Sequence, residues 1–444
     1  MFDFPRYTAY AFCLSATVLL SACGGSSTNI VEREPVAAPT EEEGHEDEHA
    51  AGEAPSTKGR LVVASQGEPE VMVYDLDSGE ELAHYELAHT ASAVYASANY
   101  RFALILQREG NQVNAIDAGF IREAHDDHFD YTIAAPSFSD FDVSGPRPTH
   151  FTRGDDEVVI FYDGNADTAE GAEVGVVSDA KLAAGAAGVR IELETHQHGA
   201  ARILGEHLFL TLRDPLDTST TLPDQIAWYH LHDGEYELEQ TFETRCPALH
   251  GSARWEHGVA FGCSDGVLVI HAEGGEFVAD KVANPEGLSG RIGSLYANAG
   301  AHQLVGVASG ELFLIDPEAG TIDRLSWTEE GRAPVAYGFD GEAEHFLVLD
   351  DQGALTRLEV ADGWAALAPI PVVSSDLSGL SEEVRLAMTV SHASHLVYVT
   401  DPVAMSVLEV DLESEAVTTA LTLESVPAKL AWTGFEGAHE EHEH

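Results

Sequence analysis

The stretch "ASAVYASANYRFALIL", residues 91–106, carries a pattern that the rest of the chain repeats. A small or apolar lead-in is followed by a turn, and then by an apolar strand that opens a new unit. The same order returns in "PTHFTRGDDEVVIFY" (148–162), "GAARILGEHLFLTL" (199–212), "GSARWEHGVAFGC" (251–263) and "IGSLYANAGAHQLVGV" (292–307). It returns again in "PVAYGFDGEAEHFLVL" (334–349), "AMTVSHASHLVYVT" (387–400) and "VPAKLAWTG" (426–434). Ala93, Phe151, Ala201, Ala253, Ser294, Ala336, Thr389 and Lys429 hold equivalent places, separated by 40 to 58 residues. Propeller blades repeat every ~40–50 residues, and the longer gaps leave room for inserted loops. The chain is therefore expected to be all-β, an eight-bladed β-propeller; seven blades is the alternative, if two anchors share one enlarged blade. The last strand, near residues 427–432, is expected to complete the sheet begun by residues 61–87, which closes the ring and removes the exposed edge. The helical candidates, residues 178–188 and 378–386, are short and belong in loops.

The ends read differently. Residues 1–22 combine Arg6, the apolar run "AYAFCLSATVLL" and the small residues of "LSAC", as a secretory signal does, and the run is too short to span a bilayer. "LSACGG" resembles a bacterial lipobox, which makes Cys23 the lipid-bearing first residue of the mature chain and points to the outer membrane. Residues 23–59 are acidic, weakly hydrophobic and proline-containing, and read as a disordered tether. The propeller is assigned to residues 60–432, and 433–444 form a His/Glu-rich tail. His45 and His49 in the tether, with His439, His442 and His444 in the tail, are candidates for auxiliary metal capture.

Cys13 leaves with the signal, so Cys246 and Cys263 remain and are expected to pair in an oxidising compartment. A Cys2His2 zinc site using His250 and His257 is the competing reading. With 76 acidic against 22 basic residues, the formal charge is −54. Such a chain repels nucleic acid and anionic membrane surfaces and attracts cations. Membrane contact then runs only through the lipid anchor, and the chain is expected to be a monomer.

In a propeller, the segment leading into each blade's innermost strand lies at the mouth of the central channel. His89, His150, His198 and His250 stand at or just before four consecutive anchors, and the next four repeats have none there. Packing would ask for a histidine in every blade, whereas a site to one side of the axis uses only a few. Converging neutral imidazoles suit zinc, copper or nickel. "REAHDDHFDY" (122–131) sets His125 and His128 in the connection before the His150 repeat. It is expected to fold over the same mouth, with Asp126 or Asp127 as a ligand or an orienting carboxylate. His196 and His198, two apart on one strand, face opposite sides, so one of them points at the axis. Gly199 and Gly251 permit close backbone approach. His230 and His232 share a strand face away from the anchors and are assigned to the surface. No GxSxG, HExxH, phosphate-binding or EF-hand pattern occurs, and catalysis is not indicated. Histidine ligation predicts affinity that falls as pH drops through about 6.5, with neighbouring carboxylates raising that midpoint.

Together, "AHDDHFDY", "GPRPTHF", "VVIFYDG", "HQHGAARILGEHLFLTL" and "CPALHGSA" ahead of Cys263 make the chain resemble the periplasmic zinc metallochaperones of the AztD type. The resemblance extends in outline over residues 60–432. It implies a non-enzymatic β-propeller that binds Zn2+ and transfers it to the zinc-binding solute-binding protein of an ABC transporter. It implies ligands from His125, His128, His150 and His198, with Asp127 and His250 beside them. Two other classes remain open: a lipid-anchored propeller scaffold for protein–protein contacts, and a metal-dependent propeller hydrolase with a base such as Asp126.

Overall fold

The computed structural model describes residues 54–125, 128–288, 290–298, 302–327 and 331–437. The signal segment, Cys23, His45, His49, Asp126, Asp127, His439, His442 and His444 lie outside the described residues, and of His125 only the backbone is described. Each repeat forms an antiparallel sheet, and eight such sheets make the blades of a propeller. Blade 1 joins Arg60–Ser65, Glu70–Asp75 and Glu81–Glu86 to the C-terminal strand Pro427–Thr433. Blade 2 opens with Ala93–Ala96, blade 3 with Pro148–Arg153, blade 4 with Ala201–Leu204 and blade 5 with Ser252–Trp255. Blades 6 to 8 open with Ser294–Tyr296, Pro334–Phe339 and Met388–Val390. Seven of the sequence anchors fall on these first strands and Lys429 falls on the C-terminal strand Pro427–Thr433.

The inner strands are apolar on both faces because each blade is stacked between two others. Phe102–Gln107 is buried throughout, whereas the outermost strand Glu81–Glu86 is largely exposed. One apolar cluster fills each of the eight junctions between neighbouring blades. The expected helices are short pieces between strands: Asp179–Ala183 and the 3-10 turn Leu377–Gly379. Cys246 and Cys263 form a disulfide that ties the approach to blade 5 to the end of its second strand.

Closure is made by the last strand, with Val62 opposite Ala431 and Val63 opposite Leu430. Trp432 is 1 % exposed at the junction of blades 8 and 1, and its indole N–H donates to Lys58 O at 2.8 Å. Gly59 has φ +89°, and a Cβ there would sit 2.5 Å from Thr433 O, so no other residue fits. Lys58 also pairs with Glu409 at 2.8 Å. Lys58 and Gly59, in the segment whose composition reads as a tether, thus dock on the ring at this seam. At the other end, buried Phe435 packs edge-on against Phe120 and Tyr131, so the folded part runs past residue 432.

Phe120–His125 and His128–Ile133 pair as a hairpin inserted between the third and fourth strands of blade 2, with His125 opposite His128 at its tip.

Trp432→Ala is expected to cost about 3–5 kcal/mol, the usual loss for a buried aromatic truncated in a packed core. The check is a urea titration of the full chain, in which the midpoint falls while the slope stays the same.

Candidate metal centre

Three consecutive blades send a histidine to one point at the channel mouth. In blade 3 the pairing slips between Pro148 and His150, leaving Thr149 as an extra residue, a bulge that re-aims the side chain beside it. His198 precedes the first strand of blade 4, and its backbone N–H donates to Thr221 O at 2.8 Å. A Cβ on the following Gly199 would meet Thr211 Oγ1 at 2.3 Å and the Phe161 ring at 2.6 Å. His250 precedes blade 5, and its N–H donates to Gly262 O at 3.0 Å. Gly251 has φ +72° and a Cβ site 2.6 Å from Gly293 O. Gly251 is required by its positive φ and the adjacent Gly293 backbone, and Gly199 by the Thr211 and Phe161 side chains packed against it.

His150 Nε2 lies 3.2 Å from His198 Nε2, which lies 3.0 Å from His250 Nε2. Zinc–nitrogen bonds of about 2.0–2.1 Å in a tetrahedron put neighbouring donors roughly 3.3 Å apart, so the spacing suits three positions around one ion. The far nitrogens are also committed. Asp163 Oδ2 is 2.9 Å from His198 Nδ1 and accepts from Arg108 Nη2 at 2.9 Å. His250 Nδ1 is 2.6 Å from Gly293 O. A carboxylate and a carbonyl only accept, so both rings carry a proton on Nδ1. In the neutral rings the two Nε2 lone pairs face each other at 3.0 Å and repel unless a cation lies between them.

No family model matches the chain. The zinc chaperone AztD of Citrobacter koseri is 23% identical over 395 residues, spanning 87% of this chain and 90% of that protein. The chain is homologous to AztD. A crystal structure of Citrobacter koseri AztD matches with a TM-score of 0.72 at 22% identity, covering 85% of this chain and 98% of that one. The apo form of AztD from the same organism matches at 0.71, with the same identity and coverage. The dihydro-heme d1 dehydrogenase NirN in complex with DHE shares the fold at 0.53, with 11% identity over 86% of this chain and 76% of that one.

Of the residues that the AztD resemblance implies, the structure brings His150 and His198 together, with His250 on equal terms. His128 does not join them. The hairpin leaves blade 2 after Asp117, which pairs with Phe102, whereas the channel-mouth end of that blade is where Ala93 pairs with Leu106. The segment expected to fold over the mouth therefore departs from the opposite end, held by Phe120 and Tyr131 against Phe435. His128 Nε2 is 3.5 Å from Asp130 there, and His125 shares the hairpin tip.

His89 is exposed at the approach to blade 2, with its ring over Gly110 and its backbone N–H on Gln107 Oε1 at 2.8 Å. Arg108 fills that blade's place at the mouth. His196 and His198 lie in an irregular segment rather than on a strand, and His196 supplies its carbonyl to Arg213 Nε at 3.0 Å. The disulfide overturns the Cys2His2 reading, since neither sulfur is free for a metal. Sequence reasoning missed Asp163 and Arg108. Asp163 could have been found, because it directly follows the strand Glu157–Tyr162 that pairs with the His150 strand, at the His150 end. Arg108 could not, since it comes from the neighbouring blade.

Burial, then the two adjacent imidazoles, lower His150 to about 3. Burial lowers His250 as well. Burial pushes Asp163 upward, but hydrogen bonding with His198 and Arg108 outweighs it and holds the carboxyl below its usual range. The expectation that carboxylates raise the histidine midpoint is thus reversed at His150 and His250, where loss of water outweighs one carboxylate.

Stability tied to neutral His150 is complete above about 6.5, the unfolded-chain value, and is lost as pH falls toward about 3. Urea midpoints of the metal-free chain are expected to drop on acidification below about 6.5, and to drop less steeply for His150→Gln.

Proposed function

We propose that this protein is a periplasmic zinc metallochaperone that holds Zn2+ on His150, His198 and His250 and passes it to the zinc-binding solute-binding protein of an ABC importer. The observation that carries the proposal is the meeting of Nε2 of His198 and Nε2 of His250, 3.0 Å apart, with Nδ1 of each ring held by an acceptor on the far side. Homology to the zinc chaperone AztD supports the choice of ion and the carrier role.

The transfer follows from the donor set. Three neutral imidazoles leave a fourth tetrahedral position for a donor from the partner. That donor binds before a histidine lets go, so the ion changes hands without becoming a free aqua ion. Because His150 is held well below neutral pH, no proton competes for its donor nitrogen during loading. The mouth of the channel gives a partner access that the blade interiors do not. The Cys246–Cys263 disulfide suits an oxidising compartment. A lipid on Cys23 would keep the carrier at the membrane, and His45, His49, His439, His442 and His444 would gather ions for it. The carrier works as a monomer and catalyses no reaction.

Competition of the full chain with a chromophoric chelator is expected to reveal one tight zinc site that His150→Ala/His198→Ala removes; an unchanged titration would sink the proposal. Asp163→Asn should weaken that site about 10–100-fold, the usual effect of losing a partner that orients a ligand histidine.

A further inference from the structure

The third strand of blade 4, Gln225–His232, ends with two histidines on one face, far along the blade from His198. His230 Nδ1 lies 3.0 Å from His232 Nε2, which lies 3.4 Å from Glu239 Oε1. The donor atoms of all three residues fall within 4.8 Å of one another. Glu239 reaches them through a register shift: Trp228 faces Gln240 and Tyr229 faces Leu238, so Glu239 is an extra residue bulged on the outer strand. His230 turns its other nitrogen, Nε2, to Glu206 Oε2 at 3.7 Å. His207 pairs with His230 across the strands and stacks on its ring at 4.8 Å, itself fixed by an N–H from Trp228.

We infer that His230, His232 and Glu239 form a second, weaker site for a borderline divalent metal ion on the rim of blade 4, with Glu206 orienting His230. A hydrogen-bonded reading does not satisfy the group. If His230 Nδ1 donates to His232 Nε2, Glu239 faces a lone pair there; if it does not, Nδ1 is an acceptor. His232 Nε2 then faces two acceptors, His230 Nδ1 and Glu239, and one N–H serves only one of them. A single cation serves all three. Two imidazoles and a carboxylate make a set that suits zinc, with neighbouring donors near the roughly 3.3 Å expected around a tetrahedral ion. The cluster is partly to fully exposed, unlike the mouth site, so its ion exchanges readily with solvent. The inference does not rest on the mouth site, which uses different residues of other strands.

The test is a zinc titration of the full chain against a weak chelator, run beside two double variants. His230→Gln/His232→Gln is expected to lose one weak equivalent and keep the tight one, while His150→Ala/His198→Ala does the reverse. Glu206→Gln should retain the weak equivalent at about 10-fold lower affinity, an effect expected of an orienting partner rather than of a surface charge. If His230→Gln/His232→Gln, with the circular dichroism and melting temperature of the parent, binds as many equivalents as the parent, the rim site does not exist. A parent that binds no weak equivalent outside its tails, measured as no difference between those two proteins, overturns the rim site equally. Loss of nothing in the His150/His198 variant would instead sink the mouth site and leave this one standing.

Discussion

The pairing of Arg60–Ser65 with Pro427–Thr433 is the contact on which everything else depends. No blade can bury both faces alone; each needs a neighbour on either side, and the ring supplies the missing neighbours only when its ends meet. Trp432 fills the junction made at that seam, and Lys58 and Gly59 pack over it. Closure also dictates where side chains meet. Once the first strands are arranged around one axis, the residues that lead into them converge, and three histidines separated by about fifty residues in sequence come within hydrogen-bond distance.

That convergence sets up a conflict that the fold sustains. His150 and His250 are taken largely out of water, which disfavours charging them, and the rings of His198 and His250 are oriented so that Nε2 meets Nε2. The orientation comes from outside the cluster. Asp163 is held ionised by Arg108 of the adjacent blade, and Gly293 presents its carbonyl from the approach to blade 6. Blade packing is rigid, so these partners do not relax away when the ion is absent. The local cost is small against eight apolar junctions, which is why a closed propeller tolerates it. A site built on a mobile loop would rotate one ring and lose the arrangement.

Much of this is legible in the sequence because it is periodic. The anchors repeat, and seven lie on first strands with Lys429 on the closing strand; the glycines after His198 and His250 are required where they stand. Position within a period also picks out His150, His198 and His250. What lacks a period is misread. The 122–131 segment has histidines but also an alternation that pairs it into a hairpin, and which end of blade 2 it leaves is set by counting strands, not by its residues. Arg108 and Gly293 are invisible for a related reason: they act across blade boundaries. The rim histidines read as ordinary solvent-facing residues, since Glu239 joins them only through a one-residue bulge that no spacing rule announces.

The acidic surface and the histidine site divide the work of recognition between attraction and choice. A formal charge of −54 draws every cation, and calcium, magnesium and sodium are far commoner competitors than zinc. Those hard ions take carboxylate, carbonyl and water oxygens in large numbers and gain little from imidazole. Three nitrogen donors, with no carboxylate grouped with them among the described residues, would reverse that preference, because affinity at nitrogen rises toward the later transition metals. The selection works only while the rings are neutral, and burial secures this for His150 and His250. On the proposed function, desolvation of the imidazoles, costly in itself, is therefore what would let an indiscriminately acidic protein be selective at its channel mouth.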